Sequence, residues 1–396
     1  MKTIKDFDFK DKKALVRVDF NVPQNDALEV TDNTRIVAAK PTIDKILNDG
    51  GSVILMTHLG RPKGEKNDKY SLKNVVNDIS KVLGKEVLFV NECVGAAAEK
   101  AVSDLQPGQV LLLENLRFHS EEENGDLEFA KSLGKLADAY VNDAFGTAHR
   151  SHASTAVIAD YFPNTKFFGL LLSKELEAID KVLKSGEKPV TAILGGSKVS
   201  SKITIIENIL PAIDNIIIGG GMSFTFIKAL GGKIGKSIVE DDKLDLALEI
   251  LDKAKQHNVK VYLPTDVIIA DDFNNEAEIK EANIYEIPED WQGLDAGPKS
   301  RDIFNDVLMN SRTILWNGPI GVFEMSNFAN GTKELGDSIA EATKLGAFSL
   351  VGGGDSVAFV KQFGYADKVS YVSTGGGAML ESLEGLELPG VAAINN

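Results

Sequence analysis

The sequence predicts an α/β fold with two doubly wound parallel-sheet domains, each Rossmann-like, that face each other across a hinged cleft. Short apolar runs alternate with helical patterns along the whole chain, which is typical of parallel sheets flanked by helices. The 396 residues, 43% of them hydrophobic, are enough for more than one core. Five of the seven arginines precede residue 153, whereas all three glycine triplets follow residue 218. The two halves therefore have different binding chemistry.

Seven β-rich apolar runs predict strands at 53–56, 87–90, 110–113, 190–194, 216–218, 313–316 and 348–351. An eighth predicted strand covers 14–22, with Val16 and Val18 on one face and Arg17, Asp19 and Asn21 on the other. Polar residues on one face of an inner strand indicate a crevice wall, although an exposed strand edge has the same pattern.

A helical stripe of leucine and isoleucine between 169 and 189 predicts a helix that links two domains. We expect a first domain at 1–170, the linking helix at 171–186 and a second domain at 187–376.

The formal net charge of −15 argues against nucleic acids and anionic membranes as partners. The single cysteine, Cys93, cannot form an internal disulfide. The first residues lack the apolar core of a signal peptide, and no apolar run is long enough to cross a bilayer. We therefore expect a cytoplasmic, soluble protein, present as a monomer, whose ligands are small anions.

The first half places basic side chains directly after several predicted strands, where ligands of open α/β sheets bind. His58 and Arg61 follow one strand, and Arg117 and Arg150 follow two others. Arg35 lies early on a predicted helix that residues 31–33 can cap. Each of these residues alone is as well explained by a surface ion pair. Their repeated position predicts a site for a carboxylate or phosphate.

The second half offers glycines and lysines for a nucleotide. Gly195 and Gly196 follow a strand and are expected to open a helix on which Lys198 and Lys202 share one face. The triplets at 219–221, 352–354 and 375–377 also follow strands, so their N–H groups can approach phosphates. Asp355 can hold Mg²⁺ through one oxygen. Neither the P-loop pattern nor a dinucleotide fingerprint occurs.

Eight ordered motifs resemble those of the phosphoglycerate kinase family, from the first strand to the last residues. They are RVDFNVP at 17–23, HLGRP at 58–62, ENLRF at 114–118, NDAFGTAHR at 142–150, GGSKV at 195–199, WNGP at 316–319, GGGD at 352–355 and STGGG at 373–377. The chain differs from the frequent family residue at Ser356, Tyr371 and Met379.

The resemblance implies a set of residues for each substrate. The residues that would bind 3-phosphoglycerate or 1,3-bisphosphoglycerate are Asp19, Asn21, Arg35, His58, Arg61, Arg117 and Arg150. Those that would bind ATP or ADP are Gly195, Lys198, Lys202, Gly220, Gly293, Asn317, Glu324, Gly353, Gly354, Asp355 and Ser356. The catalytic residues would be Arg35, Lys198, Gly354 and Gly376, and Asp355 would bind Mg²⁺. The resemblance also implies that the C-terminal segment, 377–396, returns to the first domain, with the residues after about Leu386 on the surface of that domain.

The function implied is a reversible glycolytic and gluconeogenic reaction, in which a phosphoryl group passes directly from 1,3-bisphosphoglycerate to MgADP and gives 3-phosphoglycerate and MgATP. Such a transfer depends on positioning and electrostatics. Two alternatives remain at this stage. One is a kinase for another small carboxylate, and the other is a binding or scaffold protein without catalysis.

Overall fold

A computed structural model describes all residues from Met1 to Asn396. They form two compact units, one consisting of Met1–Leu176 with Glu387–Asn396 and the other of Glu177–Leu386. Residues 377–386, which were predicted to return with the C-terminal segment, group with the second unit. No helix combines the length and the apolar composition that crossing a bilayer requires.

Six parallel strands form the sheet of the first unit. They are β1 (Lys13–Arg17), β2 (Ser52–Met56), β3 (Val87–Val90), β4 (Val110–Leu113), β5 (Ala139–Asn142) and β6 (Lys166–Phe168). Their order in the sheet is β3-β4-β2-β1-β5-β6, and every neighbouring pair is parallel. β2 and β4 are buried along their whole length, as expected for inner strands that helices cover on both faces.

Eleven further strands follow in the second unit. They are β7 (Val190–Leu194), β8 (Asn215–Ile218), β9 (Lys233–Ile234), β10 (Lys260–Tyr262), β11 (Asp266–Ala270), β12 (Ile279–Asn283), β13 (Glu286–Ile287), β14 (Gln292–Ala296), β15 (Thr313–Asn317), β16 (Phe348–Val351) and β17 (Tyr371–Val372). Six of them form a second parallel sheet in the order β10-β8-β7-β15-β16-β17. The others form the antiparallel sheet β12-β11-β14 and the pair β13-β9. The predicted doubly wound parallel sheets are confirmed.

Fourteen α-helices connect and cover these strands. They are α1 (Thr34–Asn48), α2 (Val76–Leu83), α3 (Ala96–Asp104), α4 (Ser120–Glu123), α5 (Leu127–Gly134), α6 (Leu170–Leu183), α7 (Ile203–Ile209), α8 (Met222–Ala229), α9 (Leu244–Gln256), α10 (Pro298–Met309), α11 (Asn330–Lys344), α12 (Gly354–Gln362), α13 (Gly377–Leu383) and α14 (Pro389–Asn395). The three glycine triplets lie where α8, α12 and α13 begin, as predicted.

The helix predicted from the leucine and isoleucine stripe is α6. It begins where the Asp143 carboxylate accepts hydrogen bonds from the N–H groups of Leu171 and Leu172, at 2.9 and 3.1 Å. These bonds satisfy N–H groups of the first turn, which have no partner within the helix. The division between the two units falls inside this helix, after Leu176.

The strand predicted at 14–22 is shorter than expected. In the structure, β1 ends at Arg17. Beyond it, the N–H of Val18 donates to the carbonyl of Met56 at 3.1 Å, and that of Phe20 donates to the Thr57 hydroxyl at 2.9 Å. The latter bond to a side chain replaces continued strand pairing. The alternating residues of the segment remain buried, but Asp19 lies in a loop beyond the sheet edge.

Candidate functional site

The residues predicted to bind the acid all belong to the first unit, and most follow strands of its sheet. Asp19 and Asn21 follow β1, His58 and Arg61 follow β2, Arg117 follows β4, Arg150 follows β5, and Arg35 lies in the first turn of α1. β1 and β5 are neighbours in the sheet, but the chain continues from β1 to β2 on one side of this pair and from β5 to β6 on the other side. Loops diverge at such a point and leave a crevice beyond the carboxyl ends of the strands.

Asp19 and Asn21 are held by contacts with other segments of the first unit. Nη1 of Arg35 lies 2.6 Å from Oδ2 of Asp19. The N–H of Gly60 donates to Oδ1 of Asn21 at 2.8 Å. The loop after β1 is thereby joined both to α1 and to the loop after β2.

His58 is buried beside the guanidinium of Arg17. Its Nδ1 lies 3.3 Å from Nη2 of Arg17, whose side chain is fully buried. Burial, followed by the charge of Arg17, lowers the pKa of His58 well below its usual value. The imidazole is therefore neutral at pH 7, and its Nδ1 can accept a hydrogen bond from the guanidinium.

Arg117 is mostly buried, at 9% exposure, and incompletely paired. Nη1 donates to the carbonyl of Gly60 at 3.1 Å, and Nε lies 3.4 Å from Oε1 of Glu123 without forming a hydrogen bond. Burial lowers the pKa of the guanidinium, and the Glu123 carboxylate opposes this shift. A buried cation with an unsatisfied donor is suited to receive an anionic ligand.

Arg61 and Arg150 are exposed, whereas His152 is buried. Burial, together with the charges of Arg117 and Arg17, lowers the pKa of His152 to about 4. Arg17, Arg35, Arg117 and His152 all act on the pKa of His58. A protein with a net charge of −15 thus concentrates positive charge in one place, as an anion site requires.

The second unit contains a cavity of about 420 Å³ between the loops that follow β7, β8 and β15. Four residues predicted to bind the nucleotide line it, and these are Gly220, Gly293, Glu324 and Asp355. The lining combines apolar groups, among them the glycines, Phe224 and Ile320, with polar groups that include three carboxylates. This composition suits a ligand with a flat apolar part and polar substituents.

Several glycines at the cavity or next to it have no room for side chains. A Cβ on Gly293 would lie 2.2 Å from Cζ of Phe224, and one on Gly195 would lie 2.0 Å from the carbonyl oxygen of Pro319. Gly220 has a φ of +68°, which an L-residue adopts at a cost. The sequence therefore needs glycine at these positions to bring backbone segments together.

Asn317 joins several of the predicted residues in one hydrogen-bonded group. Its Oδ1 accepts from Nζ of Lys202, and its Nδ2 donates to the carbonyl of Gly352 at 2.8 Å. Next to it, the N–H of Gly318 donates to the Ser356 hydroxyl at 2.6 Å. Ser356 stands where threonine is frequent in the family, and this bond needs only the shared hydroxyl.

The glycine triplets at 352–354 and 375–377 lie at the starts of α12 and α13. Gly353, with a φ of +90°, precedes α12, and Asp355 is an exposed residue of the first turn of that helix. Gly376 precedes α13 and has a φ of +47°. Free N–H groups at both starts can bind phosphate oxygens.

Lys198 and Lys202 do not share a helix face as predicted, because α7 begins only at Ile203. Gly196 has a φ of +115°, and the segment after it is held by Glu240, which accepts from N and Oγ of Ser200 at 3.0 and 2.6 Å. Lys198 is exposed, whereas burial lowers the pKa of Lys202 and the carboxylates of Asp355 and Glu384 oppose this. Both lysines lie in a loop that a residue far along the chain holds in place.

Sequence reasoning left out several residues that the structure places around these sites. Glu122 and Ser154 are fully buried beside Arg17, and Phe273 and Asp295 line the cavity. Their neighbour Arg17 carried a signal, since it lies on the polar face of the strand predicted at 14–22 and within a family motif. Glu122 belongs to an acidic run that is typical of solvated helix faces.

Comparison with known proteins gives one family. The model of the family described as phosphoglycerate kinase matches residues 4–386. A phosphoglycerate kinase of Porphyromonas gingivalis is 54% identical to this chain, and the match covers 99% of each protein.

Solved structures agree with this match. The structure of phosphoglycerate kinase from Coxiella burnetii is 40% identical with a TM-score of 0.92, covering 99% of this chain and 98% of that one. The crystal structure from Pyrococcus horikoshii OT3 is 32% identical with a TM-score of 0.82, covering 100% of this chain and 98% of that one.

Proposed function

The chain belongs to the phosphoglycerate kinase family, and on this basis we propose that its first unit binds the phosphoglycerate and its second unit binds the nucleotide. The protein is an ATP-dependent phosphotransferase of glycolysis. It transfers a phosphoryl group reversibly between 1,3-bisphosphoglycerate and ADP, giving 3-phosphoglycerate and ATP. Two chemically different ligand sites, one cationic and one lined by glycines, are the observation that carries the assignment of substrates to units.

In the first unit, we assign the stationary phosphate of 3-phosphoglycerate to Arg61, Arg117 and Arg150. The unsatisfied Nε of Arg117 supports this role, because a phosphate oxygen can complete its hydrogen bonding. Asp19 and Asn21 would bind the substrate hydroxyl, and His58 would contribute a neutral imidazole. Arg35 would lie at the carboxyl end of the acid, where transfer takes place.

In the second unit, we assign the base and ribose of the nucleotide to the 420 Å³ cavity. Gly220 and Gly293 would allow the base to approach the backbone, and the exposed carboxylate of Glu324 would bind the ribose hydroxyls. The phosphates would extend toward Lys198, Lys202 and the start of α12. Asn317 supports this arrangement because it holds Lys202 beside the Gly353 turn.

We propose that Mg²⁺ enters with the nucleotide and is held by Asp355. This donor set fits the ion, since Mg²⁺ commonly takes one carboxylate together with substrate phosphates and water. The structure contains no cluster of three or more histidine, cysteine or acidic residues that would hold a metal by itself. When bound, Mg²⁺ neutralises charge on the phosphate oxygens.

We propose direct in-line transfer without a covalent enzyme intermediate. The moving phosphoryl group spreads negative charge over its oxygens, so preorganised donors lower the barrier. Arg35 and Lys198 would supply the two cationic groups, and backbone N–H groups at Gly354 and Gly376 would supply further donors. A transfer of this kind requires no general base, because the acceptor is already a carboxylate or a phosphate oxygen.

We also propose that the two units close on the ternary complex, with hinges in α6 and near 373–377. Reacting atoms must approach to about 3 to 3.5 Å, while each substrate needs access to its own unit. Small-angle X-ray scattering tests this by comparing the protein alone, each binary complex and the complex with 3-phosphoglycerate plus an unreactive MgATP analogue. The same radius of gyration in all four samples excludes closure.

We propose that the protein acts as a cytoplasmic monomer, because every residue that we assign to the mechanism belongs to one chain. The only cysteine is buried, so it offers no exposed thiol for linking two copies. Sedimentation equilibrium measures the mass in solution, and a dimer at micromolar concentration excludes the monomer.

A coupled assay with ATP, Mg²⁺ and 3-phosphoglycerate tests the assignment as a whole. We expect turnover that phosphate-free hydroxy acids neither support nor inhibit. A kinase for another small carboxylate would accept such acids, and a scaffold protein would show no turnover at all. Arg117→Ala and Lys198→Ala variants then test which unit serves which substrate.

A further inference from the structure

A buried hydrogen-bonded chain connects Arg17, Ser154 and Glu122 in the first unit. Nε of Arg17 donates to the Ser154 hydroxyl at 2.8 Å, and this hydroxyl donates to Oε1 of Glu122 at 2.6 Å. The N–H of Ser154 donates to Oε2 of Glu122 at 2.9 Å. Both carboxylate oxygens therefore accept hydrogen bonds, and all three side chains are fully buried.

Fold stability alone is a weak explanation for this hydrogen-bonded chain. Burying a carboxylate and a guanidinium removes both from water, and the gain from their attraction seldom exceeds this cost. Apolar residues of similar volume would stabilise the core as well or better. A buried network of this kind is more useful where it fixes the position of neighbouring groups.

This hydrogen-bonded chain connects three segments that carry residues assigned to the phosphoglycerate. Arg17 contacts Nδ1 of His58 at 3.3 Å. Glu122 lies five residues after Arg117, and Ser154 lies four residues after Arg150. A backbone bond from Ala153 N–H to the carbonyl of Glu122, at 2.9 Å, strengthens the link between the last two segments.

We propose that Ser154 and Glu122 are positioning residues of the phosphoglycerate site, holding the Arg117 and Arg150 segments at a fixed distance and orienting Arg17 against His58. This inference rests on the function proposed above for the first unit. Neither residue touches substrate in this scheme. Each acts through the cationic side chains that it keeps in place.

Two physical effects of Glu122 oppose each other, and this opposition makes the proposal testable. Its negative charge lies near Arg17 and Arg117, so it weakens the positive potential that attracts an anion. Its hydrogen bonds keep the cations in a geometry that fits one phosphate. If charge dominates, removing the carboxylate tightens binding, and if positioning dominates, removal weakens binding.

Ser154→Ala separates the two effects, because it removes the hydroxyl that connects Arg17 with Glu122 and leaves every charge in place. Glu122→Gln is the second variant, which removes the charge and keeps the volume. We expect 3-phosphoglycerate to bind on the order of 10-fold more weakly to each, since small displacements at a site have effects of this size. The affinity for ATP serves as an internal control and should stay within about twofold.

Isothermal titration calorimetry on the full chain measures both affinities, and thermal unfolding verifies that each variant is folded. Matched controls are Glu121→Gln, the exposed neighbour on α4, and Ser132→Ala, whose hydroxyl bonds only to the carbonyl of Glu128. Both controls should bind 3-phosphoglycerate as the parent protein does.

Wild-type affinity in folded Ser154→Ala overturns the proposal, and so does an equal loss of affinity for both substrates. Tighter binding by Glu122→Gln also overturns it, since charge then outweighs positioning. Arg117→Ala distinguishes this failure from that of the proposed function. If Arg117→Ala binds 3-phosphoglycerate normally, the site itself is misassigned, whereas a loss in Arg117→Ala alone rejects only the role of Ser154 and Glu122.

Discussion

Arg35 and Asp19 form an ion pair, with Nη1 of the arginine 2.6 Å from Oδ2 of the aspartate. The side chains are 38% and 12% exposed, so solvent screens their attraction and the pair contributes little to stability. Its effect is on geometry, because it keeps the first turn of α1 beside the loop that follows β1. Both partners belong to the set that we assign to the phosphoglycerate.

Replacing Asp19 with asparagine should weaken the binding of 3-phosphoglycerate and leave the fold intact. We expect the KM for 3-phosphoglycerate to rise about 10-fold or more, because a hydrogen bond from the substrate hydroxyl to a charged group contributes about 1.5 to 3 kcal/mol. Steady-state kinetics with saturating ATP measures this. Asp44→Asn is the control, since Asp44 forms a comparable ion pair with Lys40 at 2.8 Å on α1, the helix that carries Arg35. Equal KM values in the two variants would remove Asp19 from the site.

Lys198→Ala should lower kcat by roughly 10²- to 10³-fold and affect both KM values much less. Its charge matters most while the phosphoryl group is in transit, when negative charge lies between the substrates. The side chain is exposed and the loop is held by Ser200, so the substitution should leave the fold intact. Lys255→Ala, on the surface of α9, is the control. Wild-type kcat in the Lys198 variant would reduce this residue to a surface lysine.

Arg117→Ala should raise the KM for 3-phosphoglycerate by on the order of 10-fold or more and leave nucleotide affinity unchanged. A charged hydrogen bond to a phosphate that does not move contributes to binding more than to the chemical step. Initial rates with each substrate varied in turn provide the comparison. A loss of ATP affinity instead would reverse the assignment of substrates to units.

Asp143→Asn should reduce the pH dependence of stability. Burial raises the pKa of Asp143 to about 7, whereas an aspartate in the unfolded chain titrates near 4. Between these values the folded protein holds a proton that the unfolded chain has released, so this group lowers stability as pH rises from about 4 to 7. Asparagine has no such proton, and its Oδ1 can still accept the N–H groups that begin α6.

Urea unfolding at pH 5 and pH 8 measures this effect. The loss of stability between the two pH values should be smaller in Asp143→Asn than in the parent protein. A residual loss is expected, because burial also raises the pKa of Asp295 to about 7. Asp160→Asn, at an exposed position, should behave as the parent does. An unchanged pH dependence in Asp143→Asn would mean that this carboxyl is ionised throughout.

Local patterns predicted the sheets and placed the residues that we assign to each substrate beyond strand ends or at helix starts. Apolar runs such as 190–194 coincide with strands, because β-branched residues that are buried on both faces leave a continuous signal. The glycine triplets mark helix starts, since one glycine of each triplet has a positive φ, which glycine adopts without the steric cost that a side chain adds. Basic residues after strands were found for the same reason, because the sequence itself shows where a strand ends.

Contacts between distant segments could not be predicted from such patterns. Glu122 lies in a run of three glutamates, and only its bonds to Ser154 distinguish it from its exposed neighbours. The helix expected at Lys198 is absent, because Glu240 binds Ser200 from 40 residues away. β1 ends early because the Thr57 hydroxyl takes the N–H of Phe20. Each of these outcomes depends on a partner that a window of the sequence does not contain.

The final residues of the chain have a consequence for its synthesis. Gly390 donates its N–H to the carbonyl of Ala148 at 2.8 Å, and Glu387–Asn396 belong to the same unit as Met1–Leu176. The second unit is one uninterrupted stretch, so all of its residues have been made once Leu386 is added. The first unit, although its sheet is made earliest, stays incomplete until the ribosome has added Glu387–Asn396.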